Sequence, residues 1–277
     1  MKIAANAWIW FSPVSPEIIG KVKALGFDGI EIPAENPEEM DIPRIKEVLQ
    51  SYSLPCSSVS AALSPGRDLI SPYKKVREKT KKYIRNCIEI ASDLNSNIVQ
   101  GPVYSTVGKQ ETRLPREKEW KYCAEGLREL GGFAEDQGVY LTVEPLNRFK
   151  SYFINTTEDV VKLVNDVNHP NIKVNLDVFH MNIEEKSIAK AIKLAGNLLY
   201  HVQVVENDRG APGSGLINWK EFRDALIDIG YNRWLVIESF NPEIKTLAKS
   251  SSTWRHLEID QDSLAKNGLN FLRKLFS

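Results

Sequence analysis

The chain has few cysteines, no long apolar run and no excess of charge of either sign. Its 277 residues include three cysteines, Cys56, Cys87 and Cys123, which are odd in number, widely spaced and without a C-x-x-C pair. This pattern fits neither a disulfide framework nor a zinc knuckle. We therefore expect three reduced, inert thiols.

The sequence lacks the features that membrane proteins and nucleic-acid-binding proteins need. No apolar stretch reaches the roughly 18 residues that span a bilayer, and the N-terminal MKIAANAWIWF turns polar or proline-broken too early for a signal peptide. The 36 basic and 36 acidic residues balance to zero formal charge, so no overall positive field attracts nucleic acid. We expect a cytoplasmic protein that acts on a small molecule, with neither membrane nor nucleic acid as a partner.

The organisation of the chain is that of one large α/β domain over residues 1–277. Short β-prone runs alternate with longer amphipathic stretches, which indicates a parallel sheet, and no Ser/Gly/Pro-rich linker divides them. The predicted strands are 3–8, 29–33, 56–61, 97–102, 140–144, 173–177, 200–205 and 234–239. The predicted helices are 16–24, 42–51, 76–93, 117–137, 157–165, 189–194, 219–229 and 261–276. Eight such units predict a (β/α)8 TIM barrel.

Four residues that can bind a metal or carry a proton lie at or near the ends of the last four predicted strands: Glu144, Asp177, Gln203 and Glu238. Functional groups of TIM barrels collect at these strand ends. Three carboxylates converging on one mouth repel one another by several kcal/mol unless they are neutralised, which indicates a divalent cation. His180, three residues after Asp177, is expected to contact the substrate in the same mouth.

Several segments carry a resemblance to a known family. EPLNRF, DVFHMNIEE, ENDRGAPGSG followed by tryptophan, and VIESF occur in this order and spacing, after an opening GFDGIEIPAE block. Together they resemble the ketose 3-epimerases, which act on D-tagatose, D-psicose or L-ribulose, within the xylose-isomerase-like sugar isomerase superfamily. The resemblance covers nearly the whole chain.

The resemblance implies a homodimeric or homotetrameric TIM barrel that binds Mn²⁺, or else Mg²⁺ or Co²⁺. Glu144 and Glu238 would ligate the metal and act as the paired acid and base, with Asp177 as a third ligand. His180 and Arg209 would hold oxygens of the sugar. The implied reaction is 3-epimerisation of a ketose, in which one glutamate removes a proton to give a metal-stabilised enediolate and the other returns it from the opposite face.

Two positions depart from the family and leave the substrate open. Gln203 stands where the family has a histidine ligand, and its neutral carbonyl oxygen favours Mn²⁺ or Mg²⁺ over zinc. The related dehydroshikimate dehydratases resemble this chain in placing glutamine there. Lys150 replaces a sugar-contacting glutamate, and its ammonium either assists a leaving oxygen or extends into solvent. The alternative function is therefore a metal-dependent lyase or dehydratase acting on a 3-oxo or cyclic polyol, including a carbon–glycoside-cleaving type.

Three further features of the sequence bear on the function. The glycine-rich stretch 210–215 matches no phosphate-binding motif and predicts a flexible loop that carries Arg209 across the mouth. Trp8 ends the first strand and is placed among the substrate contacts as an apolar wall, with ordinary barrel packing as the alternative. The zinc endonucleases of the same superfamily are disfavoured, because the chain has four histidines and no net positive charge.

Overall fold

A computed structural model describes residues 1–11 and 13–277. Its eight strands are all parallel and pair in chain order into a closed barrel, with the first strand joined to the eighth. They are β1 (Lys2–Asn6), β2 (Gly29–Pro33), β3 (Cys56–Ser60), β4 (Ile98–Gly101), β5 (Tyr140–Val143), β6 (Ile172–Asp177), β7 (Leu199–Val204) and β8 (Trp234–Ile237). The predicted TIM barrel and its eight strands are confirmed.

The α-helices lie between the strands and after the last one. They are α1 (Pro16–Leu25), α2 (Ile42–Ser51), α3 (Lys74–Asp93), α4 (Glu117–Asp136), α5 (Thr157–Val167), α6 (Val178–Glu184), α7 (Ile188–Ala195), α8 (Trp219–Asp228), α9 (Lys245–Ser251) and α10 (Gln261–Leu275). Among the described residues, none of these helices has the length and apolar character needed to cross a membrane.

Local sequence accounts for several helix ends. Pro16 occupies the first position of α1, where its missing N–H costs nothing, and Gly26 ends the helix with a left-handed φ of 93°. Thr156 caps α5 by accepting the N–H of Asp159, whose carboxylate accepts the Thr156 N–H in return. These signals account for both ends of α1 and for the start of α5.

Two helices were not predicted, α6 and α9, and both are seven residues long. Segments this short give too few apolar repeats for a helical period to be read. The α6 helix begins directly at the end of β6, where the Asp177 carboxylate accepts the Phe179 N–H. The α9 helix follows β8 and buries Leu247 beside the open end of the barrel.

Side-chain alternation along the strands divides the barrel into an apolar outer layer and a polar interior. In β2, Ile30 and Ile32 join the apolar core, whereas Glu31 between them bonds to Ser58 of β3. The interior polar side chains bond to one another across the barrel: Asn6, Glu31, Ser58, Ser60, Gln100, Asn175 and Gln203. These bonds satisfy most of the buried polar atoms of this set, with Asn175 Oδ1 left without a partner among the described residues.

Candidate active site

The predicted site residues meet at the carboxyl ends of the strands. Glu144 and Glu238 lie one residue beyond β5 and β8, while Asp177 is the last residue of β6, and all three are at most 5% exposed. A cavity of about 670 Å³ opens at this end of the barrel and is lined by Glu144 and Glu238. The cavity is large enough for a small-molecule ligand.

A single guanidinium lies among the carboxylates. Arg209 is 6% exposed, and its Nη1 is 2.7 Å from Asp177 Oδ2 and 2.9 Å from Glu238 Oε2. Its Cζ also lies 4.1 Å from the ring centre of Phe179. The arginine therefore compensates part of the buried negative charge. It also lines the cavity, and its predicted contact with the substrate stays a prediction.

The carboxyl groups of the site hold their protons more tightly than usual. Burial raises the pKa of Glu238 to about 8, against the opposing effect of Arg209. Burial also raises the pKa of Glu144 well above its ordinary value, and the charges of Glu238 and Asp177 raise it further. The pKa of Asp177 is raised by burial, although Arg209 opposes the shift. Burial thus favours the neutral acid form of these carboxyl groups, and Arg209 offsets only part of that effect.

His180 on α6 is held in one tautomer. Its Nδ1 accepts the backbone N–H of Asn147 at 3.0 Å and the side-chain Nδ2–H of Asn147 at 2.9 Å. The orientation of that amide follows from its Oδ1, which accepts the Phe149 N–H at 3.0 Å. Because Nδ1 is an acceptor, the proton of the neutral ring sits on Nε2, 3.7 Å from both Glu144 and Asp177. Arg209 Nη2 lies 3.3 Å from Nε2, but a guanidinium can only donate, so it is no acceptor for this N–H.

The charge state of His180 agrees with this assignment. Burial, Arg209 and Lys150 together hold the pKa of the imidazole well below its usual range, so the ring is neutral. Glu144, Asp177 and His180 each bring one ligand-type atom within 4.8 Å of the others. However, an Nε2 that carries a proton offers no lone pair to a metal. His180 is therefore better suited to donate a hydrogen bond to a substrate oxygen.

Gln203 is fully buried in β7 and is bonded at both ends of its amide. Its Nε2 donates to Glu238 Oε1 at 2.5 Å, and its Oε1 accepts Asn175 Nδ2–H at 2.9 Å. The same Asn175 nitrogen donates to Gln100 Oε1 at 2.9 Å. A carbonyl oxygen has two lone pairs, so one remains on Gln203 Oε1. Its predicted role as a ligand stays a prediction.

Lys150 is half-buried, and its ammonium is bonded to other groups of the protein. Its Nζ donates to the Ser250 carbonyl at 2.8 Å and to Ser252 Oγ at 2.9 Å, at the carboxyl end of α9. Its own carbonyl accepts the Gly108 N–H at 2.7 Å. Burial and the nearby Arg209 lower the pKa of the ammonium. Lys150 lines the cavity, and it also ties the loops after β4, β5 and β8 together around the mouth.

Trp8 forms part of an apolar side of the same cavity. It lies in a short 3-10 turn, Ala7–Ile9, beyond the end of β1, and its ring stacks on Phe240 with centroids 5.6 Å apart. Leu247 of α9 completes this small apolar cluster, which is separate from the main core. The predicted apolar wall is thus physically present, and its contact with a substrate stays a prediction.

Three polar residues of the site region were missed by the sequence reasoning. Asn147 orients His180, and Asn175 orients Gln203. Glu206, two residues past the end of β7, is fully buried and accepts the indole N–H of Trp219 at 2.5 Å. Position at a strand end could have drawn attention to Glu206, but the bonding of the two asparagines has no sequence signal.

The side chains of the site fit a divalent cation. When all three carboxylates are ionised, they exceed the charge of the one guanidinium by two negative charges, which a divalent cation would neutralise. Carboxylate and amide oxygens are hard ligands of the kind that Mn²⁺ and Mg²⁺ prefer. Glu144, Asp177 and Glu238 would hold the ion, with Gln203 Oε1 as the candidate for a fourth position.

A closed parallel barrel with acid–base groups gathered at the carboxyl ends of its strands is the architecture of TIM-barrel enzymes. A family model described as "Xylose isomerase-like TIM barrel" matches residues 19–275. A D-psicose 3-epimerase of Ruminiclostridium cellulolyticum is 35% identical over 249 residues, which are 88% of this chain and 84% of that protein. An L-ribulose 3-epimerase of Methylomonas sp. is 30% identical, covering 96% of this chain and 93% of that protein.

Solved structures agree with these relatives. The crystal structure of D-allulose 3-epimerase from Methylomonas sp. in complex with D-allulose superimposes with a TM-score of 0.94 at 28% identity, covering 99% of this chain and 96% of that chain. The chain therefore belongs to the ketose 3-epimerase family of the xylose isomerase-like TIM barrels. The resemblance identified from the sequence motifs is confirmed.

Proposed function

We propose that this protein is a divalent-metal-dependent epimerase that inverts the carbon next to the carbonyl of a ketose, most specifically C3. One observation carries the proposal: two buried glutamates, Glu144 and Glu238, line one cavity from two different strands of the barrel. The similarity to D-psicose and L-ribulose 3-epimerases supports the same reaction. Inversion requires proton transfer on both faces of one carbon, which two separate carboxyl groups can provide.

The two glutamates divide the proton transfer. The ionised carboxylate of one removes the C3 proton, which leaves an enediolate, and the carboxylic acid of the other delivers a proton to the opposite face. Their roles exchange when the opposite epimer is the substrate. The raised pKa values, with burial as the main cause, suit a group that must alternate between the two forms.

The remaining side chains bind and orient the sugar. His180 donates from Nε2 to a substrate oxygen, because Asn147 holds Nδ1 as an acceptor. Arg209 keeps the Asp177 and Glu238 carboxylates in place and lines the cavity in which the sugar would bind. A divalent cation held by Glu144, Asp177 and Glu238 would act as a Lewis acid that stabilises negative charge on the carbonyl and its neighbouring hydroxyl.

Elimination is the less supported reaction of the same site. It needs an acid beside the leaving group, and Lys150 was the candidate. Its Nζ instead bonds to Ser250 and Ser252 at the end of α9. The proposal is therefore epimerisation, with the sugar's identity left to experiment. The homodimer or homotetramer and the cytoplasmic location implied by the sequence stay predictions.

The test is isotope exchange on the metal-loaded protein. A panel of unphosphorylated ketoses and 3-oxo polyols is incubated in D₂O with Mn²⁺ and followed by NMR. We expect deuterium at C3 together with formation of the C3 epimer and an intact carbon skeleton. Loss of water or of an aglycone would assign a lyase instead. Absence of exchange with every ketose, in protein shown to contain the metal, would refute the proposal.

A further inference from the structure

The glycine-rich loop between β7 and α8 is built around a carboxylate of the protein itself. Glu206 Oε1 accepts the N–H of Gly213 at 2.8 Å and the indole N–H of Trp219 at 2.5 Å. Its Oε2 lies 3.3 Å from the N–H of Ile217 and 3.3 Å from that of Asn207. Backbone N–H groups that converge in this way stabilise an anion. The flexible loop expected from the sequence is thus organised by an internal anion.

Two glycines allow the loop to close on this carboxylate. Gly213 has a φ of 89°, and a Cβ there would lie 2.3 Å from the ring of Phe271. A Cβ on Gly215 would lie 2.7 Å from Glu206 Oε2. A side chain at position 213 would therefore collide with Phe271, and one at position 215 would collide with the carboxylate, so the loop needs glycine at both positions. The proposed chemistry leaves Glu206 without a role, although it is fully buried.

The loop fixes the backbone of Arg209 on both sides. The Arg209 N–H donates to the Glu206 carbonyl at 3.0 Å, and the Glu206 N–H donates to the Gly210 carbonyl at 3.1 Å. Ser239 Oγ donates to the Arg209 carbonyl at 2.7 Å. Arg209 itself has a left-handed φ of 74°, which a non-glycine residue adopts only when its surroundings hold it there.

We propose that Glu206 is a positioning residue that holds Arg209 between Asp177 and Glu238 by organising the loop around its carboxylate. Glu206 touches no substrate and acts through Arg209 alone. In Glu206→Gln one oxygen becomes an NH₂ group that faces N–H donors, so the loop loses part of its anchor. The guanidinium then leaves the carboxylates. The placement of Arg209 stands independently of the proposed function, whereas the expected loss of turnover rests on it.

The first experiment follows the loop without any substrate. Trypsin cleaves after arginine, and Arg209 is buried in the native protein. Under native conditions we expect the wild type to resist cleavage at the Arg209–Gly210 bond and Glu206→Gln to be cut there about tenfold faster, because local opening becomes cheaper. Glu221→Gln on α8 is the matched control, since it makes the same chemical change at an exposed position and should resist like the wild type.

The second experiment is a double-mutant cycle on the ketose that proves active. We expect kcat to fall about 10²-fold in Glu206→Gln, as for a displaced catalytic group, with KM changed less. In an Arg209→Met background the same substitution should change kcat less than twofold, because Glu206 acts through Arg209. If Glu206→Gln does not fold, Ser239→Ala, which removes the bond to the Arg209 carbonyl, is expected to change both measurements in the same direction.

The outcomes separate this inference from the proposed function. A folded Glu206→Gln in which Arg209 stays protected, or whose effect adds fully to that of Arg209→Met, would overturn the positioning role. Inactivity of the wild type towards every ketose would refute the proposed function alone, and the tryptic rates would still decide the placement of Arg209.

Discussion

Glu31 in the barrel interior and Glu238 at its mouth are both buried, yet their pKa values shift in opposite directions. Burial raises the pKa of Glu31, but His201, Ser58 and Asn6 outweigh it, and the net shift is downward. His201 Nε2 lies 2.8 Å from its Oε2, and Ser58 and Asn6 each donate a bond at 2.6 Å. At Glu238, burial outweighs Arg209, and the pKa rises to about 8.

The difference shows that burial by itself does not mark a functional carboxylate. In the interior cluster, Ser58, Asn6 and His201 stabilise the ionised form of Glu31, so we assign this cluster a structural role. The mouth cluster consists of Glu144, Asp177, Glu238 and Arg209. Among the described residues, Arg209 supplies its only guanidinium, so the three carboxylates, when ionised, retain an excess of negative charge. That uncompensated charge is what a cation and a proton-transfer reaction can use.

The largest effect is expected from removing either proton carrier. Glu144→Gln and Glu238→Gln should each lower kcat for epimerisation by about 10²–10⁴-fold, the usual size of general acid–base assistance. In the two-base mechanism each variant should still exchange the C3 proton of one epimer with D₂O, while inversion is lost. NMR of both epimers with both variants measures this.

The same variants should remain folded, because each relieves repulsion in the mouth cluster. Their midpoint of thermal unfolding without metal should equal or exceed that of the wild type. Full epimerisation by either variant would contradict the paired-carboxylate mechanism, and unfolding would show that the mouth cluster is structural like the interior one.

The next largest effect should be on stability, at Glu31. Glu31→Gln removes one partner of a buried pair and should lower the free energy of unfolding by roughly 3 kcal/mol, measured by urea denaturation. Because the folded-state pKa of Glu31 lies below its ordinary value of 4.5, its stabilisation is present above pH 4.5 and is lost as pH falls. The acid limb of the stability curve should therefore flatten in the variant.

The exposed Glu221→Gln is the control for Glu31→Gln and should change stability by less than about 0.5 kcal/mol. Turnover of folded Glu31→Gln should stay within about threefold of the wild type, since Glu31 lies below the reacting groups. A Glu31→Gln protein with normal stability and no activity would reverse the assignment of the two clusters.

A smaller effect is expected at the boundary between the clusters, where Gln203 joins Glu238 to Asn175. Gln203→Leu should weaken Mn²⁺ binding by about 10–100-fold, because it removes a candidate ligand and the donor that holds Glu238. Gln203→His should keep metal binding and shift preference towards zinc. Calorimetric titration measures both, with the exposed Gln110→Leu as control. Unchanged affinity in Gln203→Leu would show that Gln203 is no ligand.

The smallest effect should follow from Lys150→Met, which keeps the apolar stem but removes the bonds to Ser250 and Ser252. Loosening α9 should raise KM severalfold and leave kcat within about twofold, since Lys150 touches no carboxylate of the mouth cluster in the structure. Hydrogen exchange of the α9 amides should rise in parallel. A large loss of kcat with unchanged exchange at α9 would instead assign Lys150 to the reaction.

Most of the fold was predictable because its signals are local. Alternating strands and helices, Pro16 at the start of α1 and Gly26 at its end are written in neighbouring residues, and all eight strands were found. The α6 and α9 helices were missed because seven residues give no usable period. Phe179 and Leu247, which line or flank the cavity, therefore had no predicted position.

The candidate site was predictable only in part. Glu144, Asp177 and Glu238 follow from the rule that parallel strands present their carboxyl ends at one face, and the structure brings all three together. The tether from Lys150 to α9 spans 100 residues of sequence, and its partners are a carbonyl and a hydroxyl of Ser250 and Ser252. No residue close to Lys150 in the sequence indicates that these groups would be its partners.

The sequence alone determined the barrel, the family and the set of acidic residues at the strand ends, because strand order and strand-end position follow from local pattern. The tertiary structure decided how these groups are compensated: Arg209 against Asp177 and Glu238, Asn147 against His180, Asn175 against Gln203. The protonation of a buried group depends on which dipoles and charges lie within a few ångströms of it. Those neighbours come from distant segments, and only the closed barrel brings them together.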